Sequence, residues 1–326
     1  MHRTKTFRFA VAAVGIATAA LAAGPLASSG ATLLPAGPSP AAQARHEAPA
    51  SPAGANGFPV SLPSQGGTVV VPARPDRILS LSPSATQMLY AIDAGKQVVG
   101  VDKYSTYPPD APRTKFTGGE TNAEGYLTVH PDLVLLAFPS GKVVQQLTVL
   151  HIPVLVLPPA SNMAQVDQQM FELGRATGHY GRARSVAASL SAQVHRLVAS
   201  AAGAGRGKTY YLELSPDYYT ATSKTFVGSE LSLFGMKDVA DPAGRGTGYP
   251  QISAEFVLHA NPYYVLLADT VCCAATPASF AHRPGFSALS AVRDHRVVGV
   301  NDSLASEWGP HTIEGFVGLV ARLLRR

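Results

Sequence analysis

Residues 78–87 read ILSLSPSATQ, a short apolar run that ends at Ser82 and is followed at once by Pro83-Ser84. The run contains residues that fit a buried strand. A serine followed by a proline is typical of a helix start, because proline is tolerated at the first helical position. The stretch therefore predicts a strand, a tight turn and a helix in immediate succession.

The same alternation continues along the chain. Further apolar runs occur at residues 98–101, 133–136 and 154–157, and again at 209–214, 263–267 and 297–300. One long helical stretch, residues 163–202 with a break at Gly178, separates the two groups. Runs that are apolar on both faces indicate parallel strands covered by helices. We therefore expect an α/β fold of two halves joined by a single long helix.

The two halves share a local pattern. Asn122-Ala123-Glu124 precedes Pro131, and Ser253-Ala254-Glu255 precedes Pro262 at the same spacing. Each proline is followed by an apolar run, so each copy has a helix-capping residue, a glutamate, a short helix and a strand. The repeat predicts an internal duplication, with both copies at the same place in the two halves.

Two explanations for Glu124 and Glu255 are open. A glutamate in the first turn of a helix stabilises it by about 0.3–1 kcal/mol, because it complements the positive end of the helix. Two carboxylates at matched positions also suit a transient protein partner that carries arginines, which bind carboxylates through paired hydrogen bonds. Helix capping explains either residue alone, whereas docking explains why both halves carry one.

Charge and motifs exclude several function classes. The chain has 26 basic and 21 acidic residues, and three of the basic ones lie within the first ten residues. Without a clustered basic face we expect no nucleic-acid partner. The sequence contains neither GxxxxGK[ST] nor HExxH, so we expect no ATPase site and no metal site. Because no nucleophile–base pattern is present either, we expect no enzyme activity.

The chain begins with segments that differ in composition. Arg3, Lys5 and Arg8 precede an apolar run at residues 9–23, which is shorter than the roughly 20 residues of a membrane span. A cleaved signal is therefore favoured over a retained anchor, and the absence of a following cysteine predicts export without a lipid anchor. The predicted segments are a signal peptide (1–24), a Pro/Ala/Gly-rich disordered spacer (25–68), an N-terminal α/β lobe (69–178), a connecting helix (179–204) and a C-terminal α/β lobe (205–326).

Residues 78–87, 100–109 and 130–134, together with the Glu255 segment, resemble the vitamin B12 and iron-siderophore binding proteins of ABC importers. The resemblance covers about residues 70–325. It implies two Rossmann-like lobes with parallel sheets, bridged by a rigid helix, and a ligand cleft between the lobes. It also implies that Glu124 and Glu255 dock on the importer's permease.

By this resemblance the protein captures a metal chelate and delivers it. A cobalamin-like corrinoid is the preferred ligand, a ferric siderophore or haem the alternative, and no resident cofactor is expected. The expected partners are the chelate and the permease, and the binding protein itself is expected to be a monomer. An exported enzyme, or an envelope protein that keeps the fold without a transport role, are further alternatives.

The expected ligand contacts lie in loops at the carboxyl ends of strands and include several aromatic side chains suited to a flat chelate. Arg245 would pair with carboxylates of haem or a siderophore, and His311 is a candidate axial ligand of haem iron. For each residue a place in the core or in solvent is the alternative. The predicted set is Ser82, Pro83, Ser84, Tyr104, Tyr219, Phe226, Tyr249, Arg245 and Trp308.

Cys272 and Cys273 are the two cysteines of the chain and are adjacent. They depart from the pattern of the vitamin B12-binding proteins. They form either a strained vicinal disulfide or two thiols. Two roles are open for them: a structural role in their loop, or a contact with the ligand.

Overall fold

A computed structural model describes residues 57–138, 141–244, 246 and 248–326. The predicted signal peptide and most of the predicted spacer lie outside these residues. Structure begins earlier than predicted, because β1 (Val60–Ser64) and β2 (Gly67–Val71) form an antiparallel hairpin. The prediction that the spacer extends to residue 68 is therefore wrong at its end. Gly66 and Gly67 make the turn with φ of 99° and 143°, which favours glycine.

The first lobe is built on a parallel sheet with strand order β4-β3-β5-β6. Every residue of β3, β5 and β6 is buried, as expected for strands covered on both faces. The hairpin lies against β6, since Ser64 Oγ accepts a hydrogen bond from the Val156 amide at 2.9 Å. The elements are β3 (Ile78–Leu81), α1 (Pro83–Ala91), β4 (Val98–Val101), α2 (Glu124–Leu127), β5 (Leu133–Leu136), α3 (Gly141–Val149) and β6 (Val154–Val156).

A helical hairpin leads from the first lobe to the second. It consists of α4 (Met163–Thr177) and α5 (Tyr180–Ser200), and α5 is about 30 Å long at 1.5 Å per residue. Gly178 ends α4 with φ of 79°, so the predicted break is confirmed. The two helices approach closely at Gly174, where an added Cβ would lie 2.6 Å from the Cβ of Ala183.

The second lobe repeats the first. Its parallel sheet has the order β10-β9-β7-β8. Numbered along the chain within each lobe, both sheets have the strand order 2-1-3-4, which supports the predicted duplication. The elements are β7 (Thr209–Glu213), α6 (Phe226–Leu233), β8 (Lys237–Asp238), α7 (Ala254–Ala260), β9 (Tyr264–Leu267), α8 (Pro277–Ala281), α9 (Ser290–Arg293), β10 (Val297–Gly299), α10 (Asp302–Ser306) and α11 (Pro310–Leu324).

One continuous apolar core connects the two lobes. It joins side chains of β3, α1, α4, α5, β7 and β9 to the buried face of α11. Two smaller cores lie on the outer faces of the two sheets. The predicted fold class, two α/β lobes with parallel sheets around a cleft, is therefore confirmed.

Candidate functional site

The candidate site lies where the strands end at their carboxyl termini. In a sheet of order 2-1-3-4, the chain leaves the first strand toward one side of the sheet and leaves the third strand toward the other side. The two connections therefore diverge at the carboxyl ends of these neighbouring strands, and α/β proteins bind ligands in the crevice between them. The crevice lies beyond β3 and β5 in the first lobe and beyond β7 and β9 in the second. The loops after these strands decide which side chains a ligand meets.

The turn after β3 caps a helix. Ser82 Oγ accepts a hydrogen bond from the Ala85 amide at 3.3 Å, and Ser84 Oγ accepts one from the Trp308 amide at 3.0 Å. Ser82 and Ser84 are 2% and 1% exposed, whereas Pro83 is half-buried. Both hydroxyls are engaged within the protein. Of the three predicted contacts in this turn, Pro83 is the one with surface available to a ligand.

A buried polar network supports the loop after β4. Thr86 Oγ1 donates to Ser80 Oγ at 2.9 Å and lies 3.0 Å from Ser105 Oγ, which donates to Asp102 at 2.6 Å. Burial raises the pKa of Asp102, while the hydrogen bonds from Ser105 lower it in part. The network holds this loop against the start of α1. Tyr104 lies between Asp102 and Ser105, so the network also positions Tyr104.

Trp308 lies in the junction between the lobes. Its side chain is buried, and its ring N–H donates to Gln169 Oε1 of α4 at 2.8 Å. With its amide bound to Ser84, Trp308 uses both of its N–H groups within the protein. The expectation that it faces the ligand is corrected by this placement: it anchors the last segment of the chain to the first lobe.

The junction segment, residues 307–312, is bound to α1 through Gln87. The Gln87 side chain donates to Glu307 at 2.6 Å and accepts from the Thr312 amide at 3.2 Å. Burial raises the pKa of Glu307 to about 7, and the charge of Asp102 adds to the rise. Sequence patterns gave no sign of this contact, because Gln87 and Thr312 are 225 residues apart.

Exposed aromatic side chains stand at the carboxyl edge of the first lobe. Tyr104 and Phe138 are 59% and 65% exposed, which is unusual for side chains of this size. Tyr107 is also exposed and stacks on His311 with ring centroids 3.7 Å apart. Phe138 was not predicted, although its position two residues after the end of the buried strand β5 would have indicated it.

Two exposed tyrosines occupy the corresponding edge of the second lobe. Tyr219 follows β7, and Tyr249 lies in the loop that pairs with it through an antiparallel bridge between Tyr219 and Gln251. The Thr220 amide donates to the carbonyl of Pro250 at 3.0 Å, so the two segments run side by side. We refer to Tyr104, Tyr107, Phe138, Tyr219 and Tyr249 as the cleft aromatics.

Two further predicted contacts have a different outcome. Phe226 is 7% exposed and begins α6, whose N-cap Thr225 accepts a hydrogen bond from the Gly228 amide at 3.2 Å. Its ring belongs to the core, so the expectation of a ligand contact is corrected. Arg245 lies outside the described residues.

A buried group of charged side chains lies at the carboxyl ends of β7 and β9 in the second lobe. Arg283 forms two hydrogen bonds to Glu213, at 2.6 and 2.7 Å, and its guanidinium lies 4.9 Å from the centre of the Phe280 ring. Asp269 is fully buried nearby, and its burial and the adjacent Glu213 charge raise its pKa to about 7. The ion pair joins the end of β7 to the segment that follows α8.

The loop after β9 carries the two cysteines. Both are exposed and present as free thiols. The Asp302 carboxylate accepts hydrogen bonds from the amides of Val271 and Cys272, each at 2.8 Å. The loop is thus fixed to the start of α10.

Glu124 and Glu255 are exposed at the starts of α2 and α7. Ser253 caps α7 as predicted, because its side chain accepts from the Phe256 amide at 3.2 Å. The Asn122 side chain accepts a hydrogen bond at 3.0 Å from the amide of Glu124, which is the first residue of α2 rather than the third. Backbone hydrogen bonding and the Ser253 hydroxyl lower the pKa of Glu255, which favours its charged form.

A groove of about 430 Å³ opens between α1, the loop after β4 and the start of α11. Tyr90, Tyr107, Asp110, His311 and Glu314 are among its lining residues. Within the described part of the chain, no group of three or more His, Cys, Asp or Glu side chains is arranged to hold a metal ion.

A sequence model of a protein family described as periplasmic binding protein matches residues 78–304. The chain belongs to the periplasmic binding protein family. The predicted family is thereby confirmed, and it is a family of substrate-binding proteins rather than of enzymes.

Relatives of the periplasmic binding protein are similar over most of its length. The uncharacterized ABC transporter substrate-binding lipoprotein YvrC of Bacillus subtilis is 30% identical over 268 residues, which cover 79% of this chain and 83% of the relative. A cobalamin-binding protein of Halobacterium salinarum is 29% identical over 276 residues, which cover 79% and 72%. The fold is shared with the periplasmic heme-binding protein RhuT from Roseiflexus sp. RS-1 at a TM-score of 0.68 and 23% identity, over 77% of this chain and 98% of RhuT.

None of the helices in the described part of this periplasmic binding protein combines the length and apolar character needed to cross a membrane.

Proposed function

We propose that this protein captures a metal chelate, preferably a corrinoid of the cobalamin type, in the cleft between its lobes and delivers it to the permease of an ABC importer. The observation that carries the proposal is the set of cleft aromatics. Large ligands with flat apolar surfaces are bound in concave sites lined by aromatic side chains. Similarity to a cobalamin-binding protein supports the choice of a corrinoid.

Four of the cleft aromatics are strongly exposed. Tyr104 and Phe138 of the first lobe, and Tyr219 and Tyr249 of the second, are each more than 40% exposed. Leaving four aromatic rings in water costs the protein hydrophobic stabilisation, about 25 cal/mol per Å² of apolar surface. A ligand that covers rings on both lobes recovers this stabilisation and also holds the lobes together.

Delivery is proposed to depend on Glu124 and Glu255. The two helices that carry them are followed by β5 and β9. Each of these strands is the third of its lobe along the chain, and each has the same position in its sheet. Two exposed carboxylates at equivalent places in the two lobes suit a partner with two matching arginine sites. We further propose that the protein works as an exported monomer and that it carries ligand without changing it chemically.

Titration with cyanocobalamin, followed by the change in the ligand's visible absorption and by calorimetry, tests the proposal. We expect binding at one site per protein. Truncation of either ring, Tyr104→Ala or Phe138→Ala, should weaken binding about tenfold or more, because buried aromatic anchors dominate such interfaces. Leu150→Ala is the matched control, since Leu150 is also half-exposed but lies in the turn before β6, at the opposite edge of the sheet. No binding, or equal losses in all three variants, would overturn the proposal.

A ferric siderophore or haem is the second candidate. Phenol oxygens and imidazole are ligands of ferric haem iron, and Tyr107 and His311 lie together at the edge of the first lobe. Similarity in fold to a heme-binding protein fits this candidate. Titration with haemin distinguishes it: a haem binder shows a shifted Soret band that is lost in His311→Ala, whereas a corrinoid binder shows tight binding of cyanocobalamin instead.

A further inference from the structure

The loop that follows β9 lies at the switch point of the second sheet, beside the loop after β7. Its backbone is fixed at two points by Asp302, which accepts hydrogen bonds from the amides of Val271 and Cys272, and the Thr270 hydroxyl lies 3.3 Å from the same carboxylate. The Thr270 hydroxyl also donates to the Val300 carbonyl at 2.9 Å. The two cysteines are therefore presented by a positioned turn.

The two thiols are in contact with each other and with water. Both side chains are exposed, and Val271 before them is 69% exposed. Partial burial of its sulfur, together with Cys273 and Asp302, raises the pKa of Cys272. A thiol pair is a poor ligand for hard cations, which prefer oxygen, but it can be oxidised to a disulfide.

Geometry decides what kind of disulfide the pair can make. The Cα atoms of neighbouring residues are about 3.8 Å apart across a trans peptide, whereas disulfides commonly span about 4.4–6.8 Å. Ring closure between Cys272 and Cys273 therefore strains the turn. Strained and exposed disulfides are easily reduced and are the labile ones in proteins. Closure also joins no distant segments, so it cannot stabilise the fold by cross-linking.

We propose that Cys272 and Cys273 form a reversible redox site at the edge of the cleft, which closes to a vicinal disulfide by exchange with a low-molecular-weight disulfide. One cysteine thiolate attacks a sulfur of the oxidant and releases one thiolate, leaving a mixed disulfide. The second cysteine thiolate attacks its neighbour's sulfur and releases the second thiolate. Two electrons pass from the pair to the oxidant, and the two protons lost by Cys272 and Cys273 end on the two released thiols.

The test uses the full chain equilibrated with reduced and oxidised glutathione at a series of ratios. The mixtures are quenched with acid, alkylated with a maleimide and measured by intact mass. We expect two alkyl groups under reducing conditions and none under oxidising conditions, with a mass lower by two hydrogen atoms before alkylation. The change should occur in one step, reverse on addition of thiol and be independent of protein concentration.

Single variants provide the controls. Cys272→Ser and Cys273→Ser each lack a partner for ring closure, so oxidised glutathione should leave each variant as the glutathione adduct. In the unaltered protein, peptide mapping should find both oxidised sulfurs in one peptide. Two alkyl groups at every ratio, a persistent glutathione adduct in the unaltered protein, or disulfide-linked dimers would overturn the proposal. None of these readouts requires a bound chelate, so their failure leaves the proposed transport function standing.

Discussion

At the scale of single residues, Arg283 is the clearest case of a side chain whose removal should be costly. Its guanidinium pairs with Glu213, whose side chain is fully buried. Breaking a buried pair by removing one partner leaves an uncompensated charge, so Arg283→Met should lower the free energy of unfolding by about 3–5 kcal/mol. Urea denaturation at pH 7 measures the change.

The exposed Arg293 at the end of α9 provides the matched control. Arg293→Met should change stability by less than about 0.5 kcal/mol, as surface substitutions usually do. Adding Glu213→Gln to Arg283→Met should recover part of the loss, because the unpaired charge is removed. Equal stability of Arg283→Met and Arg293→Met would show that the ion pair is not required.

Gly309 shows how closely the chain approaches α1. An added Cβ would lie 2.3–2.6 Å from side-chain atoms of Gln87, which is itself held by Glu307 and Thr312. Gly309→Ala should therefore destabilise the protein by about 1–3 kcal/mol, the usual cost of overpacking. Thermal or urea unfolding measures this change.

Gly181→Ala is its control, because a Cβ at this exposed position in α5 meets nothing within 4 Å. It should raise stability slightly, by up to about 1 kcal/mol, since alanine favours helix more than glycine does. A loss in Gly181→Ala as large as that in Gly309→Ala would contradict the close approach.

At the scale of structural elements, the junction segment titrates near neutral pH. The pKa of Glu307 in the folded protein is about 7, above its ordinary value of 4.5, so the folded state binds more protons than the unfolded state between these pH values. Stability should therefore fall as pH rises from about 4.5 to 7. In Glu307→Gln this contribution is absent, and the variant should exceed the original protein by about 1–3 kcal/mol at pH 8 while matching it near pH 4.5.

Denaturation of both proteins at several pH values measures the difference. Glu314→Gln on the exposed side of α11 serves as the control, and it should change stability by less than about 0.5 kcal/mol, as surface substitutions usually do. Parallel stability curves for Glu307→Gln and the original protein would refute the assignment.

The elements themselves follow closely from local sequence. The predicted runs at residues 78–82, 133–136 and 209–214 form β3, β5 and β7 within one residue at their ends. The hairpin at residues 60–71 was missed, since its strands are partly exposed and follow a segment rich in proline and glycine. The short β8 was also missed, because two residues carry no periodic pattern.

At the scale of the whole molecule, the duplicated lobes predict a docking surface that is separate from the ligand site. Charge reversal at both positions, Glu124→Arg with Glu255→Arg, should weaken binding to the permease at least about tenfold, because like charges then face the partner's arginines. Ligand affinity should be unchanged. Uptake assays and chelate titration on the same double variant measure the two effects.

Reversal of two other exposed acidic residues, Glu120→Arg with Asp294→Arg, is the matched control and should leave uptake intact. An equal fall in ligand affinity and uptake in the Glu124/Glu255 double variant would instead place these residues at the ligand. Each single reversal should have an intermediate effect if the two lobes dock independently.

Sequence by itself determined the parts of this protein that depend on neighbouring residues. Apolar runs specify buried strands, Ser82 and Ser253 cap helices, and the repeated Glu-helix-strand unit indicates two equivalent lobes; these features require only short-range hydrogen bonds and local periodicity. Tertiary structure decided which loop residues are buried and which stay exposed at the carboxyl edges of the sheets. Ser84 and Trp308 bind each other across 224 residues, and Glu213 meets Arg283 across 70. Such pairs have no local signature, because long-range packing alone determines which polar groups are buried together and which aromatic rings remain exposed.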